Sequence, residues 1–232
     1  MKNKPIKLLT CTIFLMTAIG CIPGKKATEA NHTIVWKLEN TSKVGEYEPV
    51  VLGNPQSVKE PTGTCLSFDG LNDGLIVPKI PIEGWHQFTI EVLFKPDKDG
   101  PTDPRFIHFE DSALNRGTFE LRITAGGQWY MDMFLKNGKT NSRLTLIDST
   151  KLHPTEQWTW AALVYDGKTM SSYVNGKKEL EGNVELPAFA YGNISIGVRL
   201  NKVNWFKGAI KEIRFHPQAL DTEKMQNLST QH

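Results

Sequence analysis

Cysteine is scarce in this chain: Cys11, Cys21 and Cys65 are the only three among 232 residues, too few for a disulfide framework. The longest apolar run, residues 8–19, is shorter than the roughly 20 residues a helix needs to cross a bilayer. The six histidines are scattered and form no cluster with cysteine, so zinc-ligand spacing is absent. Neither sign of charge is in excess, with 27 basic and 25 acidic residues, and no basic stripe interleaves with aromatics. Nothing therefore points to nucleic acid as a partner. No repeat, coiled coil or second hydrophobic domain is visible either. What is present is an ordinary globular composition, 39% hydrophobic and 22% charged, over a length that supports one sizeable core.

The N-terminus stands apart from that core. Lys2, Lys4 and Lys7 precede the apolar run, and Ala18-Ile19-Gly20-Cys21 follows it. This arrangement resembles a bacterial lipoprotein signal with its lipobox, and an ordinary secretory signal with an incidental cysteine is the alternative. The resemblance implies residues 1–20 as signal peptide, lipidation at Cys21 and a tether over 21–33 rich in small and polar residues. It also implies an extracytoplasmic domain, lipid-anchored to the envelope as its membrane partner. The leader holds three of the basic residues and no acidic one, leaving 24 basic against 25 acidic. The basic isoelectric point thus belongs to the leader. Cys65, beside Leu66 and Phe68, reads as a small core residue.

The domain, residues 34–232, is organised around Gln157 to Gly182, QWTWAALVYDGKTMSSYVNGKKELEG. Trp158 to Tyr165 lacks Pro and Gly and is apolar enough for a strand buried on both faces, with one of Trp158 and Trp160 buried. Asp166-Gly167 and Asn175-Gly176 are hairpin turns, since both positions tolerate positive φ. They enclose a strand from Thr169 to Val174. Further strands are expected at Phe88 to Pro96, Arg105 to Phe109, Thr118 to Thr124, Gln128 to Lys136, Asn193 to Leu200 and Gly208 to Phe215. Only Thr222 to Leu228 reads as helical.

Four stretches in order resemble the laminin G-like domains of concanavalin A-like architecture. They are LSFDGLNDGLIVP (66–78), FTIEVLFKP (88–96), the central hairpin, and WFKGAIKEIRFHPQALDTEKM (205–225). The resemblance implies an all-β fold, a two-sheet antiparallel jelly-roll sandwich. Function does not follow from it, because this fold carries lectins, adhesion modules, hydrolases and lyases.

Charged groups placed mid-strand mark a candidate ligand face. Glu120 and Arg122 alternate with Phe119, Leu121 and Ile123. Ser195, Gly197, Arg199 and Asn201 alternate with Ile194, Ile196, Val198 and Leu200, small residues leaving room beside Arg199. Neighbouring strands add Arg105, His108, Glu110 and Asp132, with Trp129, Tyr130 and Trp205 as possible stacking platforms. Aromatic rings under apolar sugar faces, with Arg, Asn and carboxylates for the hydroxyls, suit carbohydrate on the concave sheet, and several arginines suit an acidic one. Alternating Glu and Arg also suits a solvated face with cross-strand ion pairs, which would leave a structural or adhesion role.

An enzyme is the other reading. The Glu-x-Asp-x-x-Glu pattern of glucanases, which would place acid and nucleophile on one face, is absent. Lyase relatives suggest His108, Glu120, Arg122 and Tyr130 as candidates to neutralise a uronate and move a proton. No cofactor is expected beyond a possible calcium ion. The family resemblance implies it at Asp69, Asn72 and Asp73, although Lys211 stands where the family has an acidic residue and would oppose the ion. The same Asp and Asn residues also read as plain turn formers.

Overall fold

The computed structural model describes residues 32–228. The stretch read as a signal peptide, residues 1–20, and Cys21 lie outside the described residues. Among the described residues sixteen strands follow one another. The first eight are β1 (Ile34–Lys37), β2 (Val50–Leu52), β3 (Gln56–Glu60), β4 (Gly63–Asp69), β5 (Gly74–Val77), β6 (Phe88–Pro96), β7 (Arg105–Asp111) and β8 (Arg116–Ile123). The rest are β9 (Gln128–Lys136), β10 (Arg143–Ile147), β11 (His153–Pro154), β12 (Thr159–Tyr165), β13 (Thr169–Val174), β14 (Lys177–Asn183), β15 (Gly192–Ile196) and β16 (Lys207–His216).

They form two eight-stranded antiparallel sheets. The first runs β14-β13-β12-β6-β16-β4-β3, with β1 continuing the line of β4 along β16. The second runs β10-β9-β8-β7-β15-β5-β2, with β11 beside the start of β9. The jelly-roll sandwich expected from the sequence is therefore the fold.

Strand alternation explains the core. Ile90, Val92 and Phe94 of β6 face Phe119, Leu121 and Met133 of the other sheet, all within one buried cluster. At its centre the Phe94 and Phe106 rings stack with centroids 4.5 Å apart, and Trp129 packs 5.3 Å from Phe94. A fully buried side chain of this size contributes roughly 1.5–3 kcal/mol.

All seven residues of β12 are buried. One face meets the main core, while Ala162 and Val164 on the other are covered by Leu220 and Met225 of the C-terminal segment. That cover is why the strand reads as apolar throughout. Trp160 is buried and Trp158 is half-buried, donating its indole N–H to Glu60.

Local expectations were corrected at three places. The turn after β12 centres on Gly167 and Lys168, one place later than Asp166-Gly167. Gly167 alone takes positive φ, and the Asp166 carboxylate accepts the N–H groups of Lys168 and Thr169. Asn175 and Gly176 both have positive φ, as that hairpin turn requires. The C-terminal helix is one 3-10 turn, Thr222–Lys224, closed by Lys224 N–H to Asp221 O and Met225 N–H to Thr222 O, while Gln218, Leu220 and Gln226 on either side of it bond to Thr89 and Glu91 of the first sheet. The strand read as Asn193 to Leu200 stops at Ile196, where Gly197 adopts a φ of 81°. A Cβ on Gly197 would lie 2.4 Å from the Phe68 ring, so glycine is needed both for the turn and for the close approach.

Candidate functional site

The outward side of the second sheet is built by alternation. On β8, Phe119, Leu121 and Ile123 enter the core, which turns Arg116, Thr118, Glu120 and Arg122 outward. On β9, Trp129, Met131, Met133 and Leu135 go inward and Asp132 and Phe134 outward. The register sets Glu120 opposite Asp132 and Thr118 opposite Phe134. Arg105 joins them through a bulge. Phe106 is the extra residue between Arg105 and Ile107, and both Phe106 and Ile107 are buried. The bulge thus brings Arg105 and His108, three residues apart, to the same side.

These side chains line a groove of about 250 Å³ whose wall carries Arg105, Arg116, Arg122 and Arg199 against only Glu120 and Asp132. Each carboxylate is engaged through one oxygen. Glu120 Oε1 forms an ion pair with Arg105 Nε and accepts a hydrogen bond from Thr118 Oγ1, both at 2.8 Å. Asp132 Oδ2 accepts from Arg122 Nε at 3.0 Å and Nη2 at 2.5 Å. Burial works against the charge of Arg122, but Asp132, Glu120 and Asp103 outweigh it and raise its pKa. Arg116 lies over the Phe134 ring at 5.2 Å, with Glu110 4.0 Å away.

Arg199 differs from its neighbours. Among the described residues no carboxylate lies within 4 Å of it. Burial, and then the like charges of Arg116 and Arg105, lower its pKa. It reaches the groove from a loop, not from strand alternation. After Gly197 the chain folds back, with Gly197 N–H bonding Phe106 O and Phe206 N–H bonding Gly197 O. This loop covers Ser195, whose hydroxyl donates to Val198 O at 2.6 Å, so no open space lies above Ser195.

The same loop roofs His108. Leu200 N–H donates to His108 Nδ1 at 3.0 Å, which places the ring proton on Nε2. Nε2 is buried without a hydrogen-bond partner, 4.0 Å from Glu110 Oε2. Burial, reinforced by Arg199, Arg116 and Arg105, pushes the pKa of His108 down to about 3. The only lone pair of the neutral ring is occupied, so His108 is placed to position the loop and not to abstract a proton.

Other candidates fall outside the groove wall. Trp129 is fully buried, packed on Phe94 and His153 with its indole N–H donated to Pro154 O, because its position on β9 has core parity. It is no stacking platform. Tyr130 is half-buried beyond Arg122, its register partner. Trp205 is half-buried at the end of the loop, and Asn201 is exposed at the turn closed by Lys202 N–H to Arg199 O. Arg116, Thr118, Phe134 and Thr145 are groove residues that the sequence reading left out. Extending the Glu120/Arg122 parity back along the strand would have found the first two.

At the calcium candidates three carboxylate oxygens already accept backbone hydrogen bonds. Asp69 Oδ1 accepts the N–H groups of Leu71, Asn72 and Asp73, and Asp73 accepts those of Asn54 and Asp69. Partial burial opposes ionisation of Asp69, but the backbone donors hold its pKa below the usual value. Asp69 and Asp73 therefore close the corner between β4 and β5. Among the described residues no group of three or more His, Cys, Asp or Glu side chains converges as a cation site. Cys65 is buried in β4, and burial raises its thiol pKa, as suits an inert core residue.

No curated protein matches this sequence. Solved structures share the fold at low identity. Domain 4 of AbnA, a GH43 extracellular arabinanase from Geobacillus stearothermophilus in complex with arabinotriose, matches with a TM-score of 0.61 and 19% identity over 82% of this chain and 94% of that one. The binding domain of Paraclostridial Mosquitocidal Protein 1 matches with a TM-score of 0.58 and 14% identity, over 82% and 50%. The binding domain of botulinum neurotoxin DC in complex with SialylT gives 0.56 and 15%, over 82% and 49%. The chain thus spans about half the length of those two toxin domains. A family model described as the concanavalin A-like lectin/glucanases superfamily matches residues 69–226, more than half of the chain. The two-sheet sandwich and this match together establish that the chain belongs to the concanavalin A-like lectin/glucanase superfamily.

Proposed function

We propose that this domain is a non-catalytic carbohydrate-binding module whose groove takes polysaccharide chains bearing acidic groups, displayed from the cell envelope by a lipid on Cys21. Arg199 is the observation that carries the reading. A guanidinium that is partly buried, faces two other arginines and has no carboxylate within 4 Å among the described residues costs folding free energy. An anionic ligand would repay that cost on binding. Arg116 and Arg105 beside it supply the planar, forked donors that suit a carboxylate or sulfate, and Phe134 and Thr145 add an apolar and a hydroxyl contact.

Binding in this fold has precedent in the arabinanase domain in complex with arabinotriose and the toxin domain in complex with SialylT. Catalysis has less support. Glu120 and Asp132 are held by Arg105, Thr118 and Arg122 rather than poised as an acid and a nucleophile, and His108 has no free lone pair.

Arg199→Gln is expected to fold with an unchanged or higher midpoint of thermal unfolding. Its affinity for galacturonan and alginate should fall at least about tenfold, or ~1.4 kcal/mol. Affinity electrophoresis against these and against uncharged arabinan measures it. Wild-type protein that passes acidic polysaccharides unretarded, or a variant that binds like wild type, would sink the reading. Released oligosaccharides or unsaturated ends would replace binding with catalysis. For the anchor, Cys21→Ser is expected to move the protein from the detergent phase to the aqueous phase on Triton X-114 partition of expressing cells. Equal partition of the two would remove the lipid from the proposal.

A further inference from the structure

Tyr191 stands just before β15 with its side chain 60% exposed. Within β15, Ile194 and Ile196 are core residues, so Asn193 and Ser195 belong to the groove side. The same alternation, carried back two residues, puts Tyr191 there too. Its carbonyl accepts the N–H of Ser112 at 2.9 Å, extending the β15–β7 ladder one step beyond Gly192 and Asp111. Arg116, Glu110 and Asn193 form the last row that crosses β8, β7 and β15 at this end. Tyr191 lies two residues past Asn193, about 7 Å along the strand, on the scale of one sugar ring.

Leu114 occupies the adjacent β7–β8 turn. It too is 60% exposed, and its φ is 63°. A bulky side chain in the left-handed region costs roughly 1–3 kcal/mol, which glycine would avoid. Packing does not demand leucine at so exposed a position. The backbone around the pair is rigidly tied by Asp111, which is itself buried. Asp111 Oδ1 accepts the N–H groups of Ala113 and Asn115, while Oδ2 accepts the Asn115 side-chain amide and the N–H of Ala190. One carboxylate therefore joins the turn that carries Leu114 to the residue preceding Tyr191. Both residues thus stand on a backbone held by Asp111 at the Arg116 end of the sheet.

We infer that Tyr191, assisted by Leu114, is a stacking subsite for a sugar ring of the bound chain, about one residue of the ligand beyond Arg116. The inference rests on the carbohydrate-binding reading of the groove. Tyrosine suits the role because its ring packs on the apolar face of a pyranose while its hydroxyl stays in water. The ligand is then an oligosaccharide whose acidic groups meet Arg199 and Arg116 while a further ring lies on Tyr191. Affinity therefore rises with chain length until that ring is reached.

Calorimetric titration of the full chain with galacturonate trimers and hexamers tests this, using Tyr191→Ala, Tyr191→Phe, Leu114→Gly and Arg199→Gln. Tyr191→Ala is expected to bind trimers like wild type and hexamers about tenfold more weakly, whereas Tyr191→Phe retains hexamer binding. Leu114→Gly should unfold at an equal or higher temperature and bind hexamers about threefold more weakly, a combination that a purely structural role does not produce. If Tyr191→Ala binds both lengths like wild type while Arg199→Gln loses both, the stacking subsite is wrong and the groove stands. If wild type binds neither length, the groove reading fails and the subsite with it.

Discussion

Glu91→Ala is expected to lower the stability of the folded domain by about 3–5 kcal/mol, a large part of the roughly 5–15 kcal/mol typical of a domain. Glu91 sits on the outer face of β6 and is 1% exposed. Its Oε2 is 2.9 Å from His216 Nε2, and its Oε1 accepts the N–H of Gln226 at 2.7 Å. The other ring nitrogen of His216 is 2.9 Å from Thr33 Oγ1. One carboxylate thus ties the beginning and the end of the described chain to the middle of the first sheet. Thr89, two residues away on the same face, bonds Gln218 O and Leu220 N–H.

Alanine would leave a buried imidazole and a part-buried backbone N–H without their acceptor, and it would loosen Leu220 and Met225 from β12. Glu91→Gln keeps one acceptor and offers the imidazole a donor, so about 1 kcal/mol is expected for it. Urea unfolding of the three proteins separates the cases. A cost below about 1 kcal/mol for Glu91→Ala would mean that apolar packing alone holds the C-terminal segment.

The second large effect is acid lability from His108. The folded protein keeps this ring neutral down to about pH 3, whereas the unfolded chain protonates it near the ordinary value of about 6.5. Between these limits the unfolded state binds more protons, so stability falls as the pH drops through the window and is unaffected by His108 above it. The slope approaches 1.4 kcal/mol per pH unit, or about 3 kcal/mol lost at two units below 6.5. His108→Asn retains an acceptor for Leu200 N–H and has no proton to gain. Its unfolding free energy should therefore decline less than that of wild type between pH 6.5 and 4.5, by about 2 kcal/mol. Parallel pH curves for the two proteins would show that His108 takes up its proton without unfolding.

Local chemistry made much of this protein legible in advance. Alternation over Phe119 to Ile123 has period two, and a single buried face is enough to set which residues point outward, so Glu120 and Arg122 could be assigned to one side without coordinates. Asn175-Gly176 announces its turn because few other residue pairs tolerate two successive positive φ angles. The buried character of β12 was equally plain, though its cause, a C-terminal segment lying across the outer face, was not. A strand's composition reports that both faces are covered but not by what.

Tertiary structure alone decided the rest, because each remaining feature depends on residues distant in sequence. The bulge at Phe106 reverses the parity of Arg105, since the core at Phe94 and Trp129 accommodates two consecutive side chains there. Gly197 ends β15 because Phe68 occupies the space above it, and that break sends Arg199 back over the sheet while leaving Asn201 at an exposed turn. Trp129 is indistinguishable in composition from a surface platform. Its register against Ile123 on β8 takes it into the core, whereas Tyr191 keeps its ring in solvent by standing at the end of a ladder. Sequence periodicity therefore determined which strands exist and which face each residue prefers. The packing of one sheet against the other determined where those preferences are broken, and two of the groove arginines, Arg105 and Arg199, come from those breaks.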